Sequence, residues 1–368
     1  MTSFNASEWM HPYLVPFFTL CYPTDPPKNP DSFPNSQYYK TGLKDLCMIV
    51  TIIAVMAVLR DVFRLCVFEP FARWKLYRDL RQNRVTKKMN GNGHANGNGH
   101  QNGNGHKGHN GHVAGPTKKE RRKIERSVLR FAEQGWPVIY YPLQLAFGVY
   151  VNRELPTKLF DPTHLWINYP HFPLAAPVKF YYLTQTAFYA HQMLILNAEA
   201  PRKDHVQMMT HHVITVFLMG GSYYFNFTRI GCLIMVLMDW CDIFLPLAKM
   251  LRYLALPAIY PDATFGFWLV SWIVTRHVLF AIPIYSALFD VPRLLTFQWV
   301  PEKGIYLSKY SHTVFCLCLL AIEVMQIIWC TMIVRIAWRV LFSGEAASDD
   351  RSEDEDDGSS TATDEKED

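Results

Sequence analysis

No two cysteines of this chain stand at CxxC spacing, and most of the eight fall inside apolar runs. That usage excludes a zinc site and a disulfide framework as the means of holding the fold. The N-terminus lacks a basic region followed by a short apolar core, so no cleavable signal sequence is expected. Histidine boxes of the HxxxH and HxxHH kinds are missing as well. The one adjacent pair is His211-His212, and His205 stands six residues before His211, off that spacing. Membrane di-iron chemistry is set aside on that ground and no metal ligand is assigned. Charge within the apolar runs is scarce, so each charged residue found there requires a reason.

Half of the 368 residues are hydrophobic and 14% are aromatic, the composition of a polytopic membrane protein. The net charge of +4 is unevenly spread, with basic residues crowded over 60–130 and an acidic C-terminal tail. Seven apolar spans are predicted, at Leu43–Phe68, Trp136–Val151, Phe180–Ala198, Val206–Phe227, Ile230–Leu251, Thr264–Phe289 and Thr313–Val340. The first is clean only over Leu46–Leu59 and is then interrupted by Arg60, Asp61 and Arg64, which can snorkel to an interface. Residues 1–42 form an N-terminal segment, 43–68 the first span, 69–122 a basic and Asn/Gly/His-rich linker, 123–342 the main helical domain and 343–368 the acidic tail. The linker tract Asn90–His112 has no means of burying a core.

The loops place Arg73–Arg130, Arg202, Lys203, Lys249, Arg252, Arg335 and Arg339 on one side of the bilayer. By the positive-inside rule that side is the cytosol, which puts the N-terminus in the lumen and the C-terminus in the cytosol. The sequon Asn5-Ala6-Ser7 would then be open to glycosylation at Asn5. Ser352, followed by Glu353, Asp354 and Glu355, suits an acid-directed kinase.

The densest intramembrane polarity lies between Arg202 and Leu254. One apolar run opens with His211 and His212, and the next carries Asp239 and Asp242. Each ionisable group at membrane depth costs about 2.5–3.5 kcal/mol even on lenient insertion scales, so four in two neighbouring helices call for a shared role. Asp239 and Asp242 are three apart and share a helix face. His211 stands seven residues after Asp204, and Asp242 seven before Lys249. In antiparallel helices both therefore sit roughly 10 Å from one membrane face. Imidazoles and carboxylates at one level could work as general base and charge stabiliser, or could merely tie two helices together. Gln185, His191 and Gln192, with Arg276 and His277, are further tunnel-lining candidates. Glu323 and Gln326 interrupt the last span. For each of these an interhelical hydrogen bond is the plainer role.

The run Arg202, Lys203, Asp204, His211, His212, Asn226, Thr228, Arg229, Gly231, Met238, Asp239, Asp242, Lys249, Leu251, Tyr253 and Leu254 resembles the longevity-assurance motif of the ceramide synthases, in particular those of fungal type. The resemblance extends to Phe131–Tyr141, Lys179–Gln192 and Ser271–His277, and covers roughly 128–341. It implies an all-α integral membrane protein of the endoplasmic reticulum, with about seven transmembrane helices. The last six would form a TLC-type helical barrel around a substrate tunnel. It further implies N-acylation of a sphingoid long-chain base with a fatty acyl-coenzyme A. Coenzyme A is then released, and no tightly bound cofactor or nucleic acid is involved. His211, His212, Asp239 and Asp242 would be catalytic, either by direct general-base catalysis or through an acyl-imidazole. Arg202, Lys203, Lys249 and Arg252 would meet the coenzyme A phosphates. The stretch Asp290–Lys309 would influence acyl length. A homo- or hetero-dimer, or a small regulatory subunit, is compatible with the resemblance. Many animal relatives carry a homeobox-like insert after the first span, and nothing here could fold as one. The rival reading is a non-catalytic relative, a translocon-associated or lipid-sensing scaffold, which would have no need of all four polar residues.

Overall fold

The structure is a computed structural model and describes residues 10–91, 115–198 and 204–343. Asn5, Arg202, Lys203 and Ser352, with most of the Asn/Gly/His tract and the acidic tail, lie outside the described residues. The described chain is mostly helical. A short α1 (Val15–Phe18) precedes α2 (Asp45–Phe63), a π-helical turn (Arg64–Phe68) and α3 (Glu69–Gly91). Then come α4 (Lys118–Glu154), α5 (Ala176–Ala198), α6 (His205–Tyr224), α7 (Thr228–Asp242) and α8 (Phe244–Tyr253). A second π-helical turn (Val274–Leu279) joins α9 (Ile259–Ile273) to α10 (Phe280–Phe289), followed by α11 (Val291–Leu294) and the long α12 (Lys309–Ser343).

Among the described residues four helical runs are long and apolar enough to cross a membrane: Asp45–Lys87, Thr228–Tyr253, Ile259–Leu294 and Lys309–Arg335. The seven expected spans also draw on α4, α5 and α6, which carry more polar side chains. The first span was expected to give way to linker at residue 68. Instead the helix runs on to Gly91, helped by i,i+4 ion pairs of Glu69 with Arg73 and of Lys75 with Asp79.

The described residues divide into two compact units. One comprises residues 58–141 and 242–268. Its small core joins Ala72 and Leu76 of α3, Val128 and Phe131 of α4, and Met250 and Leu254 from the α8 end. Thr117 and Glu120 cap α4 reciprocally: the Glu120 N–H donates to Thr117 Oγ1 (3.3 Å) and the Thr117 N–H to Glu120 Oε2 (2.8 Å). Arg73 reaches across to Glu125 at 2.9 Å, and the Tyr77 hydroxyl donates to the same carboxylate.

The other unit comprises residues 1–57, 142–241 and 269–368. Its core is apolar residues of α7, α10 and α12, closed by Leu165 and Trp166 from the loop before α5. Three two-residue strands, β1 (Pro23–Thr24), β2 (Tyr38–Tyr39) and β3 (Leu174–Ala175), tie the N-terminal segment to the start of α5 in an antiparallel sheet. A hairpin of β4 (Gln298–Val300) and β5 (Ile305–Leu307) leads into α12. A fully buried Lys179 anchors the segment further. Its Nζ donates to Cys21 O (2.8 Å) and Lys40 O (2.7 Å) and lies 2.7 Å from Asp45 Oδ1. The Tyr223 hydroxyl and the Gly42 N–H donate to Asp45 Oδ2 (2.8 and 3.0 Å), so each formal charge has partners.

Candidate functional site

The polar motif between α6 and α7 first explains how the site is held. Asn226 takes a left-handed conformation (φ 63°), which Asn tolerates, and its Nδ2 donates to Gly304 O at 2.8 Å. Arg229 donates to His164 O and Ile167 O (3.0 Å each) and pairs with Asp31. Gly231 is where α7 meets α5, and a Cβ there would come within 1.5 Å of the Tyr182 hydroxyl, which is hydrogen-bonded to Ser222. Only glycine permits that approach. These residues position the helices without entering the chemistry.

Between α6, α7, α10 and α12 lies a cavity of about 110 Å³, against the roughly 10–15 Å³ that one water needs, so it has room for a chain-shaped ligand. Met219, Ile230, Met235, Met238, Phe280 and Leu319 make its walls apolar. Along α6 the lining runs from His211 to Ser222, about 16 Å at 1.5 Å per residue. His211 and Arg276 mark one end, Trp166, Val291 and His312 the other.

At the first end the His211 ring meets His212 (5.5 Å between centroids) and Trp329 of α12 (5.3 Å), both edge to face. His212 is buried against Tyr189 at 5.9 Å. Neither imidazole Nδ1 has a hydrogen-bond partner among the described residues. Asp239 is fully buried and accepts from Gln185 Nε2 at 2.5 Å, and Gln185 also reaches the Tyr181 hydroxyl (3.3 Å). Arg276 lines the cavity beside them. Its guanidinium donates to Met238 O (2.9 Å) and Cys241 Sγ (3.2 Å) and stacks over Trp272 at 4.8 Å.

The five tunnel-lining candidates therefore fall differently. Arg276 lines the cavity, Gln185 sits behind it on Asp239, and His191 is buried in α5 with Gln192 half-buried beside it. His277 turns to α12, where its Nδ1 lies 2.8 Å from Glu323 Oε1. Asp242 ends α7 in the other compact unit, as do half-buried Lys249 and exposed Arg252 on α8. Trp329 and Tyr189, which hold the two imidazoles, escaped the sequence reading. The signal for Trp329 was the stripe of α12 at Cys316, Leu319, Ile322, Gln326 and Trp329, in which one amide interrupts an apolar face. No group of three His, Cys, Asp or Glu side chains among the described residues is placed to hold a metal ion.

At the far end the Trp166 indole donates to Ser286 Oγ (2.8 Å), which donates to Asp290 Oδ2 (2.7 Å). His312 Nε2 lies 2.8 Å from Ala287 O, with Phe297 packed on its ring. Of the stretch Asp290–Lys309, Val291 reaches the cavity, while Trp299 is exposed and packs on Tyr306 and Phe225. In the loop before α5, burial raises the Tyr169 phenol to about 12.

Comparison with known proteins adds the family context. The family model of the TLC domain matches residues 130–335. The chain is similar to "Ceramide Synthase FUM18" of Gibberella moniliformis, 36% identical over 259 residues, 63% of this chain and 60% of that protein. It is similar to "Sphingosine N-acyltransferase lag1" of Schizosaccharomyces pombe, 31% identical over 95% of this chain and 75% of that one. "Ceramide synthase LAG1" of Saccharomyces cerevisiae is 30% identical over 65% of this chain and 58% of its own length. The match thus spans less than two thirds of two of these three relatives.

Proposed function

Because the chain belongs to the TLC-domain family, we propose that it is a ceramide synthase, which joins a sphingoid long-chain base to the acyl group of a fatty acyl-coenzyme A. The observation that carries this reading is His211 at the polar end of an apolar cavity, with a ring nitrogen that has no hydrogen-bond partner among the described residues. The acyl chain lies along the Met- and Phe-lined walls, where each buried methylene contributes about 0.8 kcal/mol. Its thioester carbon is brought to His211. The base's nitrogen forms the new C–N bond, the C–S bond breaks, and the electron pair leaves with the sulfur of coenzyme A. The ammonium proton must be removed before attack, and an imidazole is the side chain suited to take it near neutral pH. Direct attack and prior transfer of the acyl group to the imidazole both place the reacting carbon at His211.

Asp239, held by Gln185, is the carboxylate assigned to stabilise a protonated imidazole. Arg276 orients the cavity's polar end through its bonds to α7. Seven spans, with the last six as a barrel in the endoplasmic reticulum membrane, complete the reading, with Lys249 and Arg252 on the cytosolic side for the coenzyme A phosphates. Arg202 and Lys203 would join them there.

The test is to supply the purified chain with sphinganine and a panel of acyl-coenzyme A donors, and to read products by mass spectrometry. N-acylsphinganine formation with release of free thiol is expected. Product from no donor in the panel would sink the reading in favour of a scaffold. Incubation with donor alone, followed by peptide mass analysis, separates the two routes: an acyl adduct on His211 marks the stepwise one.

A further inference from the structure

The second π-helical turn has a consequence for the acyl acceptor. Two consecutive basic residues lie in it and go to different neighbours. Arg276 points into the cavity, while His277 pairs with Glu323 of α12. The pair stands directly behind lining residues on both elements, Arg276 on one and Ile322 on the other. Each side chain is about one-fifth exposed, 21% and 20%. The exposed surface around it is apolar: Val274 and Val278 on the turn, Leu320, Val324 and Ile327 on α12. An ionisable pair bordering such a surface is expensive where hydrophobic residues would serve packing as well.

The pair is also incomplete. His277 Nε2 and Glu323 Oε2 are buried with no hydrogen-bond partner among the described residues. Three residues further along α12, Gln326 is fully buried with neither amide atom partnered. Unmet buried polar groups are costly, and a native protein that keeps several together has a use for them. Their chemistry describes the ligand they would take. The carboxylate oxygen needs a donor, preferably cationic, and the amide needs a group that both donates and accepts. A thioester carbonyl only accepts, and the phosphates of coenzyme A would be repelled by Glu323. An amine flanked by hydroxyls satisfies all of them.

We propose that the seam between the π-helical turn at Val274–Leu279 and α12 is where the amino-alcohol head of the long-chain base is recognised as it arrives from the bilayer. Glu323 takes the ammonium, His277 holds that carboxylate in place, and Gln326 reads a hydroxyl. The base's alkyl chain stays against the apolar surface until the head passes between the helices. This rests on the reading of the chain as a ceramide synthase and names the acceptor's site within it.

The experiment uses the full-length protein with sphinganine and with 1-deoxysphinganine, which lacks the terminal hydroxyl. Glu323→Gln should raise KM for sphinganine about ten- to a hundredfold and leave KM for the acyl-coenzyme A donor unchanged. Gln326→Met should bring the kcat/KM ratio of the two bases toward one. A merely structural role would move both substrates' KM together, and that result, or no change in either, overturns the proposal. A measurement on the wild-type chain guards against variants that fail to fold. Sphinganine carrying a diazirine near its head should label peptides containing 273–279 or 320–327, with unlabelled sphinganine competing. Competed labelling confined to other helices overturns the assignment. If the wild-type chain makes no N-acylsphinganine, the proposed activity falls, while the labelling still decides whether the seam binds the base.

Discussion

Two polar clusters inside the same compact unit make opposite use of buried charge. Around Lys179 each charge has its counterpart: two backbone carbonyls accept from its ammonium, Asp45 Oδ1 lies 2.7 Å from it as the ion-pair partner, and Tyr223 with the Gly42 N–H donates to Asp45 Oδ2. At the cavity end, His211 and His212 each keep a ring nitrogen unmet among the described residues, and on α12 Gln326 keeps its whole amide so. A cluster satisfied from within the chain fixes structure, since nothing further can bind it without breaking something. A cluster left incomplete stores a binding preference at the expense of stability.

The largest effect that can break this comparison is on turnover. His211→Ala and His212→Ala should each lower kcat by about 10²–10⁴-fold, the usual worth of a positioned acid or base. Thermal stability in detergent should stay level or rise, because an unmet buried group has been removed. Asp239→Asn should give a smaller fall, about ten- to a hundredfold, as a group that acts through its neighbours. Near-normal turnover in both histidine variants, or loss of folding in both, would place the imidazoles with Lys179 among the anchors.

The converse variant is Lys179→Met, which keeps the length of the side chain and removes its charge. Breaking a buried pair by deleting one partner typically costs about 3–5 kcal/mol, because the other charge is left stranded. Denaturant titration should show a loss of that order, with the kcat of the folded fraction preserved. A variant that folds normally and loses turnover would reverse the assignment of the two clusters.

The two clusters were unequally legible in the sequence. His211, His212 and Asp239 stood out because imidazoles and carboxylates are rare in apolar runs. Lys179 did not, since its partners Cys21 and Lys40 lie 158 and 139 residues away and only the β1–β2–β3 sheet brings them together. The partner of Asp239 was hidden for the same reason, Gln185 being 54 residues distant. Helix content was readable from hydropathy, but neither π-helical turn was. A widened turn depends on tertiary contacts. The run of helix past residue 68 was missed because a basic composition was read as linker, although its i,i+4 charges support a helix.

The smallest effect sharpens the comparison by moving the same kind of ion pair into solvent. Arg73 and Glu125 approach to 2.9 Å, but their side chains are 45% and 40% exposed. The hydrogen bond from Arg73 holds the Glu125 carboxyl below its ordinary value, against an opposing contribution from partial burial. A carboxyl lowered in the folded state stabilises the fold above its unfolded value of about 4.3, and that contribution fades as pH falls through the lowered value. Screening by water limits it to about 0.2–1 kcal/mol. Glu125→Gln should therefore cost a few tenths of a kcal/mol at neutral pH, and the difference from wild type should close below pH ~4. Stability curves of the two proteins over that range are the measurement. A loss comparable to that of Lys179→Met, persisting in acid, would mean that burial is not what divides a costly ion pair from a cheap one here.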